Sequence, residues 1–291
     1  MKLNIRKYLI KFYRNIMKYL PIKVVIYLDH LLKQKRIPKL KNPKSFTEKM
    51  QWIKLYGRLE RYGYLVDKYS VREYVKNTIG SKYLNEIYGV YDNIDEINFD
   101  LLPEKFVMKL NNGSGYNLIC KNKNELDEIK TKKILKKWMK VDFYKEHKER
   151  QYKNIISNII IEKYLEDDSG ELKDYKIFCF DGKPEFIQVD SDRFLGHIQN
   201  IYNLNWNKLN LTFGQKGNNL IDKKPEKLKE MLYLAERLSE KIPFARIDFY
   251  YVKNNIYFDE ITLTPQNGLV NFSPESEDYR IANMIDLEKY K

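Results

Sequence analysis

An α+β fold with mostly antiparallel sheets in its second half is the class this sequence predicts, and three observations predict it. Tyr175–Phe180 and Phe186–Val189 are apolar runs joined by the turn Asp181-Gly182-Lys183-Pro184, which reads as a hairpin. Ala245–Val252 and Ile256–Thr262 repeat the pattern around Lys253-Asn254-Asn255. Phe106–Leu110 and Leu118–Cys120 flank a glycine-containing turn, Asn111–Asn117, giving strand, glycine loop, strand.

The helices follow from periodicity and caps. Ile5, Tyr8, Leu9, Phe12, Tyr13, Ile16, Met17 and Leu20 recur on one helical face, basic residues fill the rest, and Pro21 stops the run. Ser45 with Glu48 three residues on is a capping box and starts a second helix. Asp67 is expected to cap Lys68–Lys76, ending near Gly80. Residues 123–140 and 225–241 read as helices, and Ile155–Tyr164 as a buried strand. The expected division is a basic helical segment 1–41, a helical subdomain 42–100, and the sheet-rich remainder 101–291.

With 291 residues, 43% of them hydrophobic, the chain can bury a sizeable core. Cys120 and Cys179 lie far apart beside apolar runs and read as core thiols in a reducing, cytoplasmic setting. His30, His147 and His197 do not cluster, which argues against zinc. The net charge of +13 sits almost wholly in residues 1–47, which carry thirteen basic residues and one acid, Asp29. A basic amphipathic helix at residues 1–20 fits two readings: a peripheral contact with the anionic inner face of a membrane, at about 1 kcal/mol per basic residue, or docking on the protein's own core. No apolar run reaches the roughly 18–20 residues of a membrane span. No nucleic-acid motif accompanies the basic stretch.

Phosphate chemistry is the sharpest functional signal. Gly113-Ser114-Gly115 is too short for a dinucleotide fingerprint and precedes a strand, and no GxxxxGK[ST] exists. What remains is a hairpin tip whose backbone N–H groups can close over phosphates, with Lys109 as a point charge at the strand end before it. Arg246 and Asp248 share one face of a strand, and Glu260 and Thr262 share one face of the next. Across an antiparallel pair the four can converge, and magnesium with a triphosphate would satisfy them. By strand alternation Asp259 is expected on the opposite face.

The ordered set Asp67-Lys68, Lys109-x-Asn-x-Gly-Ser-Gly, Ile160-Ile161-Glu162-Lys163-Tyr164-Leu165, Asp174-Tyr175-Lys176, Arg246-x-Asp248 and Glu260-x-Thr262-x-Thr264-Pro265 resembles the ATP-grasp superfamily. From Asn42 to about Tyr279 the chain resembles its TupA-like branch, linked to teichuronopeptide and capsular polysaccharide synthesis. The shared phrases are Asn-Pro-Lys-Ser-Phe-Thr-Glu-Lys, Leu-Val-Asp-Lys-Tyr-Ser-Val-Arg-Glu-Tyr-Val and Phe-Ile-Gln-Val-Asp-Ser-Asp-Arg-Phe.

The resemblance implies two α+β subdomains with antiparallel sheets sandwiching ATP. Lys68 and Lys109 would hold phosphates, and Asn112–Asn117, with Gly113, Ser114 and Gly115, would be the lid. Glu162 would take the adenine amino group, with the backbone at Lys163 and Leu165 reading the ring. Lys176 would meet the outer phosphates. Asp167, Asp168 and Glu171 compete for the ribose. Asp248 and Glu260 would bind magnesium, with Thr262 where an asparagine is usual, so one or two ions are implied. Arg246 would stabilise the transferring phosphoryl group.

The implied chemistry is an amide-forming ligation through an acyl phosphate, joining an amino acid or other amine to a glycan or nucleotide- or lipid-linked sugar bearing a uronic acid. Asp190, Asp192, Arg193 and His197 form a polar patch expected at the acceptor, with Arg193 suited to a carboxylate. A sugar kinase on the same fold is an alternative. A glycosyltransferase is another, although its Asp-x-Asp motif has only Asp190-Ser191-Asp192 as a counterpart.

Overall fold

The computed structural model describes residues 13–14, 16–167, 172–191, 198–215 and 217–291. The helices are α1 (Ile22–Gln34), α2 (Phe46–Tyr56), α3 (Gly63–Val66), α4 (Val71–Thr78), α5 (Glu128–Trp138), α6 (Phe143–His147), α7 (Leu228–Ser239) and α8 (Glu275–Asn283). The strands are β1 (Ile87–Tyr91), β2 (Phe106–Leu110), β3 (Asn117–Cys120), β4 (Ile159–Lys163), β5 (Asp174–Phe180), β6 (Lys183–Ser191), β7 (Ile198–Asn203), β8 (Thr212–Phe213), β9 (Phe244–Val252), β10 (Asn255–Thr262) and β11 (Phe272–Ser273). They form a five-stranded sheet ordered β10-β9-β5-β6-β7, a four-stranded sheet ordered β1-β4-β2-β3, and the small pair β11-β8. Among the described residues every ladder between these strands is antiparallel.

The larger sheet is covered on one face by α7. Met231, Leu234, Ala235 and Leu238 repeat at helical spacing and join the buried cluster that includes Ile177, Cys179 and Ile247. On the other face, one end is aromatic. Phe46 of α2 meets Phe213, Phe244 and Phe272 edge-to-face, with centroids 4.9–5.8 Å apart. Local chemistry places that helix. Ser45 Oγ accepts from Glu48 N, and Glu48 takes N–H groups from Lys39, Lys44 and Ser45, so the expected capping box is present.

The smaller sheet alternates as a half-buried sheet should. Phe106, Met108 and Leu110 are buried with Ile159, Ile161 and Leu135 of α5, while Lys109 and Glu162 lie on the opposite face. Ile94, Ile97 and Phe99 belong to the same cluster, so the expected break at residue 100 falls inside it. Helices α2 and α4 instead share a core with the larger sheet.

Three expectations shift in detail. Asp67 does not start its helix directly: α4 begins at Val71, and the Asp67 carboxylate takes Tyr69 N, Ser70 Oγ and Asn111 Nδ2. The 123–140 helix is shortened to α5 behind a turn at Lys123–Glu125, each with its own cap: Asn122 accepts from Asn124 N, and Asp127 accepts from Lys130 N. The 155–164 run is a ladder only from Ile159, since Ile156 accepts an Asn111 side-chain hydrogen bond instead of a strand partner.

The amphipathic N-terminal helix falls largely outside the described residues. Of its end, Met17 is buried, Tyr13 Oη donates to Asp29 at 2.8 Å, and Lys18 pairs with Glu146 of α6 at 2.9 Å. No helix among the described residues is long and apolar enough to cross a membrane.

Candidate active site

Strand register builds the first half of the site. Thr262 is the Cα partner of Arg246, and Glu260 of Asp248, so the four stand together on the face of the larger sheet away from α7. Arg246 forks onto Asp248, with Nε–Oδ1 at 2.7 Å and Nη2–Oδ2 at 2.6 Å. The same Nη2 reaches Glu260 Oε1 at 3.2 Å and Thr262 Oγ1 at 3.0 Å. Burial pushes Asp248 up to about 6, with Arg246 opposing it, so at neutral pH the carboxylate is ionised. Burial also works against the charge of Arg246, but the Asp248 carboxylate outweighs it and raises the guanidinium further. Glu260 is half-buried, which works against its charge, but Lys68 and Arg246 face it and hold its carboxyl below the ordinary value.

The β9–β10 ladder corrects one expectation. Register shifts between Phe258 and Glu260, inserting Asp259 as a bulge. Asp259 therefore does not point away from the site. Its Oδ1 lies 3.2 Å from Lys109 Nζ, and its Oδ2 accepts from Tyr250 Oη at 3.0 Å. Simple alternation assumed an unbroken ladder, and a bulge is the one irregularity that puts two successive side chains on one side.

The smaller sheet supplies the opposing wall. Lys109 Nζ sits 3.0 Å from Glu162 Oε2 as well as bonding Asp259, and these two charges outweigh burial and hold it well above the ordinary lysine range. Lys68 donates to Gly113 O at 2.7 Å and lies 3.7 Å from Glu260 Oε2. It thus links the glycine loop to the carboxylates of the larger sheet. The loop's root is fixed by Asn111, which donates to Asp67 Oδ1 at 3.0 Å and accepts from Asn158 N at 2.8 Å.

Gly113 has φ +87°, and a Cβ there would stand 2.3 Å from the Phe143 ring, whereas Gly115 at φ +84° has open space around it. We expect Gly113→Ala to weaken nucleotide binding at least about ten-fold and Gly115→Ala much less, since the first meets a clash added to strain and the second strain alone. Titration with a fluorescent ATP analogue checks this, and equal losses would refute the role given to Phe143.

Lys176 of β5 is the Cα partner of Asp248 and reaches across to ion-pair with Asp190 of β6. Of the expected acceptor patch only Asp190 is described; Asp192, Arg193 and His197 lie outside the described residues, as do Asp168 and Glu171 among the ribose candidates. For the expected adenine contacts, Lys163 N donates to Glu86 O and Lys163 O accepts from Asn85 Nδ2. Its N–H is therefore engaged, and the second lone pair of its carbonyl is what it can offer a ring. Leu165 is half-exposed just beyond β4, and Ser114 is exposed at the loop tip.

Two groups escaped the sequence reading. Asn111 looked like turn material. The stretch Glu149–Tyr152 was passed over as a connection, yet Glu149 and Gln151 both bond Thr264 Oγ1, and Tyr152 feels the charges of Glu149, Glu260 and Arg246. A dense polar stretch next to an aromatic, ahead of a predicted buried strand, was the signal available. Behind it, fully buried Lys54 bonds the Asn267 side chain, holding a turn in which Gln266 and Asn267 both have positive φ.

Four cations, Lys68, Lys109, Lys176 and Arg246, thus face five carboxylates, Glu162, Asp190, Asp248, Asp259 and Glu260, among the described residues. Such an arrangement is costly to bury unless its members pair with each other or with a ligand carrying both signs of charge.

A D-alanine–D-alanine ligase from Bacillus anthracis complexed with ATP is similar at 17% identity and a TM-score of 0.46, over 78% of this chain and 66% of that one. A D-alanine–D-alanine ligase from Helicobacter pylori is similar at 16% identity and a TM-score of 0.40, over 78% and 60%. The ATP-grasp ligase PsnB complexed with minimal precursor, Mg and ADP is similar at 10% identity and a TM-score of 0.40, over 79% and 60%. The chain thus spans about two thirds or less of the length of these proteins. No curated protein matches it. The family model described as TupA-like ATPgrasp matches residues 48–286, which takes in both sheets and every site residue described above. The chain belongs to the TupA-like ATP-grasp family.

Proposed function

We propose that the protein is an ATP-dependent carboxylate–amine ligase of surface polysaccharide biosynthesis, joining an amino acid to a uronic-acid-bearing glycan through an acyl phosphate. The observation that carries this reading is the convergence of Lys68, Lys109, Lys176 and Arg246 between two antiparallel sheets, each paired with a carboxylate. Those pairs balance charge across the site and would exchange for a triphosphate with its cation.

The residues fit magnesium of a particular kind. Among the described residues no cluster of three or more His, Cys, Asp or Glu could hold a metal by itself. Asp248 and Glu260 offer two carboxylates on facing strands, and Mg²⁺ is commonly held by one or two carboxylates plus phosphate oxygens. When bound, the ion would neutralise charge on the β- and γ-phosphates. Thr262, bonded to Arg246 and Glu260, orients these two more readily than it ligates.

Lys109 and Lys68 would bind phosphates, and the loop around Gly113 would exclude water. Arg246 would steady the charge that spreads over the transferring phosphoryl group. A carboxylate oxygen of the acceptor attacks the γ-phosphorus and ADP leaves. An amine nitrogen then attacks the acyl carbon, losing a proton as inorganic phosphate departs. A panel of uronates incubated with ATP, magnesium and hydroxylamine tests the reading. Hydroxamate formed together with ADP is expected. ADP without hydroxamate would mean transfer to a hydroxyl, and would overturn ligase chemistry.

A further inference from the structure

Beyond residue 47 the chain is nearly neutral, yet residues 128–140 hold six lysines and one acid, Glu128. Helical spacing sorts them. Thr131 and Leu135 are buried, and Leu135 joins the core of Phe106 and Met108 in the smaller sheet. Ile129, Lys132, Lys133, Lys136, Lys137 and Lys140 fall at i, i+3, i+4, i+7, i+8 and i+11, on the opposite side. These six line one surface depression, which Asp95 completes. Little answers their charge. Lys136 pairs with Asp95 at 2.7 Å, and Lys132 lies over the Phe99 ring at 5.6 Å. Lys133, Lys137 and Lys140 have no ion pair among the described residues. Lys132 with Lys136, Lys133 with Lys137, and Lys136 with Lys140 repel across single turns, a cost that an anionic partner would reverse.

The identity of that partner follows from the one apolar member. Ile129 stands among the lysines and is 85% exposed. An exposed isoleucine alone is ordinary. Ringed by lysines, whose apolar stems lie along the same surface while their heads reach outward, it matches a helix resting on an anionic bilayer. Among the described residues no aromatic ring lines the depression, so a sugar would find nothing there to stack on. Position in the fold agrees. Tyr116 packs on Trp138 of α5, with centroids 5.9 Å apart, and feels the charge of Arg14. Lys148 Nζ donates to Lys18 O at 2.8 Å. The end of the basic N-terminal segment thus adjoins the end of α5. The helix covers the face of the smaller sheet opposite Lys109 and Glu162. A surface bound by α5 therefore leaves those two residues turned away from it, toward soluble nucleotide.

We propose that this face of α5 is a docking surface for an anionic phospholipid membrane, with Ile129 inserted below the headgroups and Lys133, Lys137 and Lys140 on lipid phosphates. The inference is independent of the reaction proposed above. It also differs from a contact made by residues 1–20 alone, because removing charge from α5 then has an effect of its own.

Sedimentation of the full chain with vesicles tests this, using phosphatidylglycerol mixed with phosphatidylcholine beside phosphatidylcholine alone. Wild type should bind the mixed vesicles and not the neutral ones. Each lysine at an anionic surface contributes about five-fold in partition, so the triple variant Lys133→Gln, Lys137→Gln, Lys140→Gln should bind about 100-fold more weakly. Ile129→Gln should weaken vesicle binding several-fold and leave binding to soluble polygalacturonate unchanged, because only a bilayer takes up the apolar side chain. All four side chains are exposed, so thermal melts of both variants should match wild type. Equal binding to the two kinds of vesicle, or binding to neither, overturns the docking. A triple variant within about five-fold of wild type overturns it as well, and leaves residues 1–20 as the contact. Unchanged vesicle binding by Ile129→Gln also overturns it, and makes a soluble polyanion the occupant.

Discussion

Glu260→Gln is expected to cut ADP release from Mg-ATP by about 10²–10³-fold, the scale on which single charge-stabilising groups act in phosphoryl and acyl transfer. The substitution keeps the shape and removes the charge that Glu260 presents between Lys68, 3.7 Å away, and Arg246, 3.2 Å away. Glutamine can still accept from Thr262, and the side chain is partly exposed, so folding should change little. A coupled ADP assay beside a thermal melt separates the two effects. Release within five-fold of wild type, with an unchanged melt, would remove Glu260 from the metal end of the site.

Arg246→Met should cost the protein about 3–5 kcal/mol at pH 7.5, the penalty for leaving one member of a buried ion pair without its partner. Asp248 is 1% exposed and takes two of its hydrogen bonds from this guanidinium. The loss should depend on pH, with a definite sign. Asp248 has a folded value of about 6 against 3.8 unfolded, so the folded state binds its proton more readily. Its contribution is complete below the unfolded value and fades as pH rises through about 6. Removing Arg246 raises the folded value further and extends the fading above pH 6. Urea denaturation at pH 5 and 7.5 should therefore show a smaller deficit for Arg246→Met at the lower pH, and adding Asp248→Asn should restore much of the stability. A deficit under 1 kcal/mol at pH 7.5 would contradict the pairing.

How much of this was legible in the residues depends on the range of the interactions involved. Ser45 and Glu48 are three residues apart, and a local rule sufficed to place α2. Both hairpins of the larger sheet were visible because their turns and apolar runs are contiguous, and the facing of Arg246 to Thr262 followed from alternation. Asp259 was misjudged because a bulge is decided by how β10 packs, and no local pattern announces it. Asn111, Glu149 and Lys54 act through partners some 44 to 213 positions away, so their roles existed only once the chain was folded. The ion pairs were equally hidden: motif order offered each lysine to phosphate, but it did not name the carboxylate that each one meets.

The inserted residue in β10 has a consequence for how this protein can vary. Upstream of Asp259 the strand keeps one parity, and downstream it keeps the other, so the position acts as a reading frame in space. Losing Asp259 itself would leave the frame intact, because Phe258–Phe249 and Glu260–Asp248 would become successive pairs and Glu260 and Thr262 would keep their face. Straightening the strand there without removing a residue would instead turn Glu260 and Thr262 toward the α7 side and bring Ile261 and Leu263 onto the site face. A sequence could thus keep every motif residue and lose the site through a change in how β10 packs, whereas one that lacks residue 259 would keep Glu260 in place and lose only the carboxylate beside Lys109.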